Sequence, residues 1–364
     1  MDATRWTGLS TAPHGAILSR IAEMIREVHL DARLRPEHPQ AWMEMETRFS
    51  YLPVSCSGSM IDYQMAYGRC GGAVMIDISL ILNHDRNPCG LWPLSLTLLE
   101  NGDIRISSQG GCIAPPLFRA ELAGKSVHDI VTRCLNFLKL LGNWTRHREL
   151  VLMEGFSGLH AIGHWHDQLM RLGAVVTLRH ELFVDLSLSL AEIKSCMRKS
   201  FRSLITSGSK IWQIESITSA NPEVWAEFKR LHFQVAGRST RSDETWQIQY
   251  DTVVSQQGFL IGLRDAHQRL VGGGYFHVTR QEGCYAVAAY DRALFDKPLG
   301  HVVQFLAIQE MQRRGLRWYK IGRRHYPADT PSPTEKELSI SCFKQGFATH
   351  ILPSYEFSLT ISPS

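Results

Sequence analysis

GFLIGLR at 258–264, LVGGGYFHV at 270–278 and CYAVAAYD at 284–291 are three short apolar runs, separated by DAHQ at 265–268 and by RQEG at 280–283. Extended runs of this length broken by turn residues predict consecutive strands, the first two forming a hairpin. After KPLG at 297–300 the pattern changes: Val302, Val303, Phe305, Leu306, Ile308 and Met311 cover most of the circumference of a helix over His301 to Arg314. A helix apolar on so many sides has to be buried against the sheet. Tyr319 to Ile321 then supply a fourth strand.

Upstream of this stretch, Ser189 and Glu192 form a capping-box signature that starts a helix. Ile193, Met197, Phe201, Leu204 and Ile205 fall on one side of it, and Lys194, Arg198 and Arg202 form a charged, solvated row on another. Asn221 with Pro222 opens a further helix running towards Gly237, and Ser242 opens another. Downstream, Thr334 and Glu337 repeat the capping box for a helix ending at Gly346, and His350 to Ile361 suit a last pair of strands.

The N-terminal half repeats this order. A helix carries Ile17, Ile21, Met24 and Ile25; residues 33–50 are ambiguous and 56–72 read as loop. Strands are expected at Ala73–Ile81, Leu91–Leu99 and Asp103–Ser107. A helix capped by Ser126 comes next, then a strand near Leu150–Met153, a helix from Leu159 to Leu172 closed by Gly173, and an extended run from Ala174 to Leu186. The expectation is therefore an α/β (α+β) protein with two similar domains, 1–187 and 188–364, each a mixed, mostly antiparallel sheet flanked by helices.

A chain of 364 residues exceeds one ordinary hydrophobic core, which agrees with two domains. At 44% hydrophobic and 20% charged residues it has an ordinary globular composition, and its net charge of +4 suits anionic ligands without indicating a dedicated nucleic-acid binder. The eight cysteines are scattered, with no CxxC pair. No basic-then-apolar leader opens the sequence, and no window approaches the roughly 18 apolar residues of a membrane span. The expectation is a soluble, cytoplasmic protein with no membrane insertion.

CMRKSFR at 196–202, RSTR at 238–241, LVGGG at 270–274, Tyr290-Asp291 and EKELSISCFKQGF at 335–347 together resemble the C-terminal half of FemAB-like acyltransferases, including the CelD-type branch described as GNAT acetyltransferases. The resemblance covers roughly residues 182–357. It implies two tandem GNAT-like domains and transfer of an acyl or aminoacyl group to an amine. GNAT acetyltransferases hold the coenzyme A pyrophosphate with a Q/R-x-x-G-x-G/A loop, whereas the corresponding junction here reads Asp296-Lys-Pro-Leu-Gly-His301. Gly300 and the helix start retain an anion-binding capacity, with Lys297 and His301 nearby.

Amide formation from a thioester or ester needs a neutral amine, a proton acceptor and donors for the tetrahedral oxyanion. In a GNAT-like core these gather where the central strands splay, which brings Tyr285, Tyr290, Asp291, Arg292, His301 and Gln304 into range. Asp291 at a strand end either orients and deprotonates the amine, or pairs with Arg292 or caps a turn. His301 is an acid, a phosphate contact or a first-turn surface residue, kept neutral by the positive helix end.

Arg238 and Arg241 are suited to fork a phosphate or carboxylate, or to sit in a solvated loop. Lys320 projects from its strand towards the cleft. Lys336 is free to reach solvent or ligand while Glu337 closes its capping box, and Lys344 either partners a helix C-terminus or contacts ligand. Gly272–Gly274 mark a bulge or a close ligand approach. His160, His164 and His166 lack the arrangement of a metal site, so no metal is expected.

Three functions remain open at this level. The first is an N-acyltransferase using an acyl-CoA donor and a small or carrier-linked amine, such as an amino sugar of a cell-surface polysaccharide. The second takes aminoacyl-tRNA as donor and a peptidoglycan precursor as acceptor. The third is a non-catalytic binding protein of the same fold.

Overall fold

The computed structural model describes residues 14–362 except 71, 100 and 157–161. Two compact units divide the chain. The first comprises residues up to Ser50, Ser55–Leu178 and those from Ser354 on; the second comprises Tyr51–Val54 and Arg179–Pro353. The division thus falls near Leu178, against the expected 187/188, and the end of the chain returns to the first unit.

In the first unit, helix α1 (His14–Glu27), strand β1 (Ala32–Leu34) and helices α2 (Pro39–Glu46) and α3 (Gly58–Arg69) precede strands β2 (Val74–Asp77), β3 (Leu80–His84), β4 (Asn87–Trp92), β5 (Ser95–Leu98), β6 (Ile104–Ser107) and β7 (Leu117–Phe118). Helix α4 (Gly124–Thr145), strand β8 (Glu149–Glu154) and helix α5 (His164–Arg171) complete it. The strands form antiparallel sheets of order β1-β3-β4-β7 and β2-β5-β6. Ile17, Ile21 and Met24 of α1 and Phe137, Leu138 and Leu141 of α4 share one core with Trp92 and Leu96.

Several expectations fail here for local reasons. Residues 58–69 are helical, not loop: Ser57 caps the segment by accepting from Met60 N at 3.3 Å, and Met60, Ile61, Met65 and Ala66 give it a buried face. The expected strands Ala73–Ile81 and Leu91–Leu99 each break in two. At the break the Ser79 hydroxyl accepts from Leu94 N (3.1 Å), beside Pro93, so the one hairpin passes from one sheet to the other. Ser126 is not a cap, since α4 begins at Gly124. Of the expected helix from Leu159 to Leu172, residues 159–161 lie outside those described, and α5 covers His164–Arg171, closed by Gly173 at φ +79°.

The second unit begins within strand β9 (Val175–Asp185). It continues through α6 (Leu190–Cys196), α7 (Lys199–Ile211), β10 (Gln213–Ile217), α8 (Pro222–Ala236), α9 (Asp243–Val254), β11 (Gly258–Arg264), β12 (Leu270–Val278), β13 (Glu282–Tyr290), α10 (Leu299–Arg313), β14 (Trp318–Arg324) and α11 (Glu335–Gln345) into β15 (His350–Thr360). Its strands run in the order β10-β11-β12-β13-β14-β9. All neighbours are antiparallel except β13 and β14. The meander, the buried helix and the fourth strand read from the sequence are β11 to β13, α10 and β14.

Two layers cover this sheet. Val302, Val303, Ile308 and Met311 of α10 pack on one face with Phe276, Tyr319 and Ile321. Trp225 and Phe228 of α8 and Trp246 and Val253 of α9 pack on the other with Leu260, Tyr275 and Val287. The glycine run in β12 serves this packing: a Cβ on Gly274 would lie 2.8 Å from Val303 Cγ1, and one on Gly273 would lie 3.1 Å from Phe228 Cδ2. Both helices approach because those positions lack side chains.

Both expected capping boxes form, at Ser189/Glu192 and Thr334/Glu337. The helix begun at Ser189 nevertheless breaks at Met197, whose ψ of 149° is extended. The supposed basic row dissolves with it. Lys194 Nζ lies 4.5 Å over the Phe305 ring, Arg198 donates to Cys342 O at 3.1 Å, and Arg202 donates to Ser195 O at 2.5 Å. All three residues remain exposed, as a solvated face requires, but their cationic groups are engaged by the chain. The expected terminal strand pair is one long strand, β15.

Candidate active site

The parallel pair β13 and β14 stays in register for Glu282↔Trp318, Gly283↔Tyr319 and Cys284↔Lys320, and then parts. Just beyond that vertex β13 is bulged: Tyr275 faces Val287 and Phe276 faces Tyr285, so Ala286 has no cross-strand partner on β12. One extra residue reverses the alternation of side chains along the strand. Tyr285 and Tyr290, five apart, therefore share the α10 face, with their hydroxyls 3.0 Å apart. Val287 and Ala289 pack in the opposite core.

On the α10 face the hydroxyls continue into a buried polar chain. Tyr319 OH donates to Gln304 Oε1 at 2.5 Å. Gln304 is 0% exposed, and its Nε2 has no acceptor among the described residues. Burial raises the phenol pKa of Tyr285, and raises those of Tyr290 and Tyr319 well above their usual range, so all three stay protonated donors.

Lys344 of α11 closes the same space. Its Nζ lies 5.6 Å over the Tyr285 ring, and a Cβ on Gly322 would lie 2.8 Å from it. Gly322, at φ +139°, satisfies both the backbone and the space. Burial lowers the Lys344 pKa.

Helix α10 enters this space without a side-chain cap, its N-cap being Pro298. Leu299 N and Val302 N find backbone carbonyls, at Lys297 and Pro298, which leaves the Gly300 and His301 N–H groups without acceptors among the described residues. Those two N–H groups and Gln304 Nε2 are donors suited to an anion or a carbonyl oxygen. His301 is enclosed by Phe201, Phe343 and Phe347, at ring separations of 4.5, 5.1 and 6.2 Å; burial and then Arg198 lower its pKa, favouring neutral imidazole.

The opposite face of the vertex is charged. Lys320 Nζ lies 2.7 Å from Glu181 Oε1. Glu282, fully buried, accepts from Tyr51 OH and from Val54 N (2.9 Å). Burial alone would lower the Lys320 pKa, but Glu181 and Glu282 outweigh it and raise the value, holding the ammonium charged. Burial raises Glu282, and pushes the Cys284 thiol up to about 11, so Cys284 is no thiolate at neutral pH.

Of the residues singled out from the sequence, Tyr285, Tyr290, Gly300, His301 and Gln304 come together on the α10 face. The others stand apart from them. The Asp291 carboxylate accepts from Ala293 N at 3.0 Å, capping a short 3₁₀ turn, and Asp291 and Arg292 line a separate groove. Lys297 pairs with Asp296 at 3.0 Å. Arg241 stacks on Trp246 at 5.1 Å, Arg238 is exposed beyond the end of α8, and Lys336 is exposed in the first turn of α11. Lys320 lies on the charged face.

Sequence reasoning missed Tyr319, concealed inside an ordinary apolar strand. It favoured a helix-end role for Lys344 over a ligand contact; the signal for the second was the glycine at 322 that makes room for it.

Among the described residues no group of three or more His, Cys, Asp or Glu could hold a metal ion, and no helix is long and apolar enough to cross a membrane. His166 bonds Glu154 at 2.9 Å and His164 packs edge-on against His128; His160 lies outside the described residues.

No protein-family model matches the sequence, and no curated protein matches it. Solved structures do. The chain is similar to FemX, with TM-score 0.58 and 10% identity over 81% of this chain and 91% of that one. It is also similar to L-PGS from Bacillus licheniformis, with TM-score 0.56 and 12% identity over 89% and 91%. A conserved protein of unknown function from Bacteroides thetaiotaomicron matches with TM-score 0.55 and 9% identity over 87% and 96%. At these identities the likeness establishes the fold. The fold class is the expected one, two tandem GNAT-like units of mixed α/β structure.

Proposed function

We propose that the protein is an N-acyltransferase that moves an acyl group from a coenzyme A thioester to the amine of a small or carrier-linked acceptor, such as an amino sugar of a cell-surface polysaccharide. The observation that carries this is the parting of β13 and β14 beside a bulge, where three protonated tyrosines, a buried amide donor and two unpaired helix N–H groups face one space.

In such a reaction the amine nitrogen attacks the thioester carbonyl carbon, the C–N bond forms, and the carbonyl oxygen becomes an oxyanion that needs donors. Gln304 Nε2 and the Lys344 ammonium suit that role. As the intermediate collapses, the C–S bond breaks and the thiolate takes a proton, for which Tyr290 is the nearest candidate among the high-pKa phenols. The proton lost by the amine goes to a neutral base, for which His301 is suited. The pyrophosphate of the donor would meet the Gly300 and His301 N–H groups, with Lys297 at the preceding turn.

Incubation with several acyl-CoA donors and amino-sugar nucleotides, read by mass spectrometry, tests this. Acylated product with release of free coenzyme A is expected, together with a rise in thermal midpoint on adding coenzyme A alone. A folded protein that neither consumes any donor nor responds to coenzyme A would remove it.

A second reading has one observation in its favour. A Cβ on Gly300 would lie 3.2 Å from Phe343 Cζ and 3.6 Å from Tyr290 Cζ, so side chains crowd the turn where a pyrophosphate loop would sit. That favours a donor gripped elsewhere, namely aminoacyl-tRNA, with a peptidoglycan precursor as acceptor. Retention of tRNA with a steep salt dependence and no response to coenzyme A would select it.

A further inference from the structure

A groove of about 560 Å³ in the second unit is bounded by the C-terminal half of α8, the turn joining β11 to β12, and the segment after β13. Its charged lining consists of Glu227, Arg230, Arg269, Asp291 and Arg292. Their commitments decide what it can bind.

Each carboxylate has a partner, although Glu227 shares its arginine with Glu215 and the partner of Asp291 is a backbone N–H. Arg264 Nη1 pairs with Glu227 at 2.7 Å, and Asp291 accepts from Ala293 N at 3.0 Å. Arg269 is taken by Asp265, through its Nε at 2.8 Å and its Nη2 at 2.7 Å. The guanidinium groups of Arg230 and Arg292 have neither ion-pair nor hydrogen-bond partners among the described residues, and both residues are exposed. One stands on a helix and the other in the loop beyond a strand end, so the groove presents two uncommitted forks from separate elements. Gln234 adds an uncommitted amide.

We propose that this groove binds the phosphate of a phosphorylated ligand. Two planar guanidinium groups offer paired N–H donors matched to phosphate oxygens, and two such forks suit a multiply charged anion better than a singly charged one. The site stands on the opposite side of the sheet from α10 and is separate from the N–H groups of Gly300 and His301. Yet Asp291 and Arg292 directly follow Tyr290, which ties the groove to the end of the strand carrying the tyrosine pair. The inference therefore deepens the transfer reading, and rests on it only in assigning the phosphate to one of the two substrates.

The test is calorimetric titration of the full chain with inorganic pyrophosphate at low salt, repeated for Arg230→Ala, Arg292→Ala, the double variant and Arg269→Ala, with thermal midpoints confirming that each is folded. Wild type binds; each single variant weakens binding about fivefold or more, and the double variant by tenfold or more. Arg269→Ala stays close to wild type, because its guanidinium is already committed. The proposal is overturned if wild type fails to bind pyrophosphate up to about 10 mM, if the double variant binds like wild type, or if Arg269→Ala loses as much as the double variant.

Uridine diphosphate and coenzyme A, titrated in parallel, identify the source: loss of the first in the double variant assigns the groove to a nucleotide-linked acceptor, and loss of the second assigns it to the donor. Arginine-dependent pyrophosphate binding with no response to coenzyme A supports the groove while counting against the acyl-CoA reading.

Discussion

The two faces of the splayed strand pair are buried to a similar degree and built from opposite chemistry. On the α10 face stand three phenols and an amide whose nitrogen has no acceptor among the described residues, with Lys344 as the one cation placed against them. On the other face the Lys320 ammonium pairs with Glu181, and Glu282 is held by Tyr51 and Val54. A charge cluster at such a vertex is costly to disturb and resists change. A neutral chain with a spare donor is cheap to rearrange around a ligand. The contrast separates a face that holds the strands together at their meeting point from the face that the proposed function uses for chemistry.

The largest disturbance should come from the charged face. Lys320→Met strands two buried carboxylates beside each other and is expected to cost roughly 3–5 kcal/mol in chemical denaturation, with Lys320→Met/Glu181→Gln costing less than the single variant. Because the Lys320 pKa is raised by folding, its contribution is complete below the ordinary lysine value and fades only as pH climbs through the raised one. A variant that unfolds at the wild-type denaturant concentration would make this cluster dispensable.

Next in size is an acid transition on the same face. His277, opposite Cys284 in the register, is pushed down to about 4 by burial, from an ordinary 6.5. The unfolded chain takes up this proton before the folded one, so stability is full above the ordinary value and falls as pH drops towards 4. The loss is roughly 3 kcal/mol, and it should shrink in His277→Gln when unfolding free energy is followed against pH. Parallel pH profiles for wild type and variant would show that His277 does not titrate on unfolding.

The neutral face should respond less. Tyr319→Phe leaves Gln304 Oε1 buried without its donor, at about 1–3 kcal/mol in denaturation experiments. Tyr290→Phe, which removes one hydroxyl of the Tyr285–Tyr290 pair, should cost about 1 kcal/mol. Under the proposed chemistry it should nevertheless lower turnover more than it raises KM. Equal stability losses from Tyr319→Phe and Lys320→Met would erase the distinction between the faces.

Much of the frame was legible in sequence because it depends on local pattern. The strands from 258 to 290, the apolar helix after Pro298 and both capping boxes are written in neighbouring residues. The site was only half legible, and the obstacle is specific. Alternation along β13 puts Tyr285 and Tyr290 on opposite faces, and only the bulge at Ala286 reunites them. That bulge is set by pairing with β12, which no local signal in Tyr-Ala-Val encodes. The broken hairpin at Ser79 and Pro93 and the helix break at Met197 are likewise decided by contacts distant in sequence. Asp291 illustrates the converse: its turn-capping alternative was visible locally, and the cap is what forms.

The segment Tyr51–Val54 belongs with the second unit, and residues from Ser354 onward belong with the first. During vectorial synthesis neither unit has its full complement until most of the chain has been made. The second must wait with Tyr51 already far behind it for Glu282 to emerge, and the first waits for β15. Fragments cut at the apparent midpoint would each lack a piece of themselves.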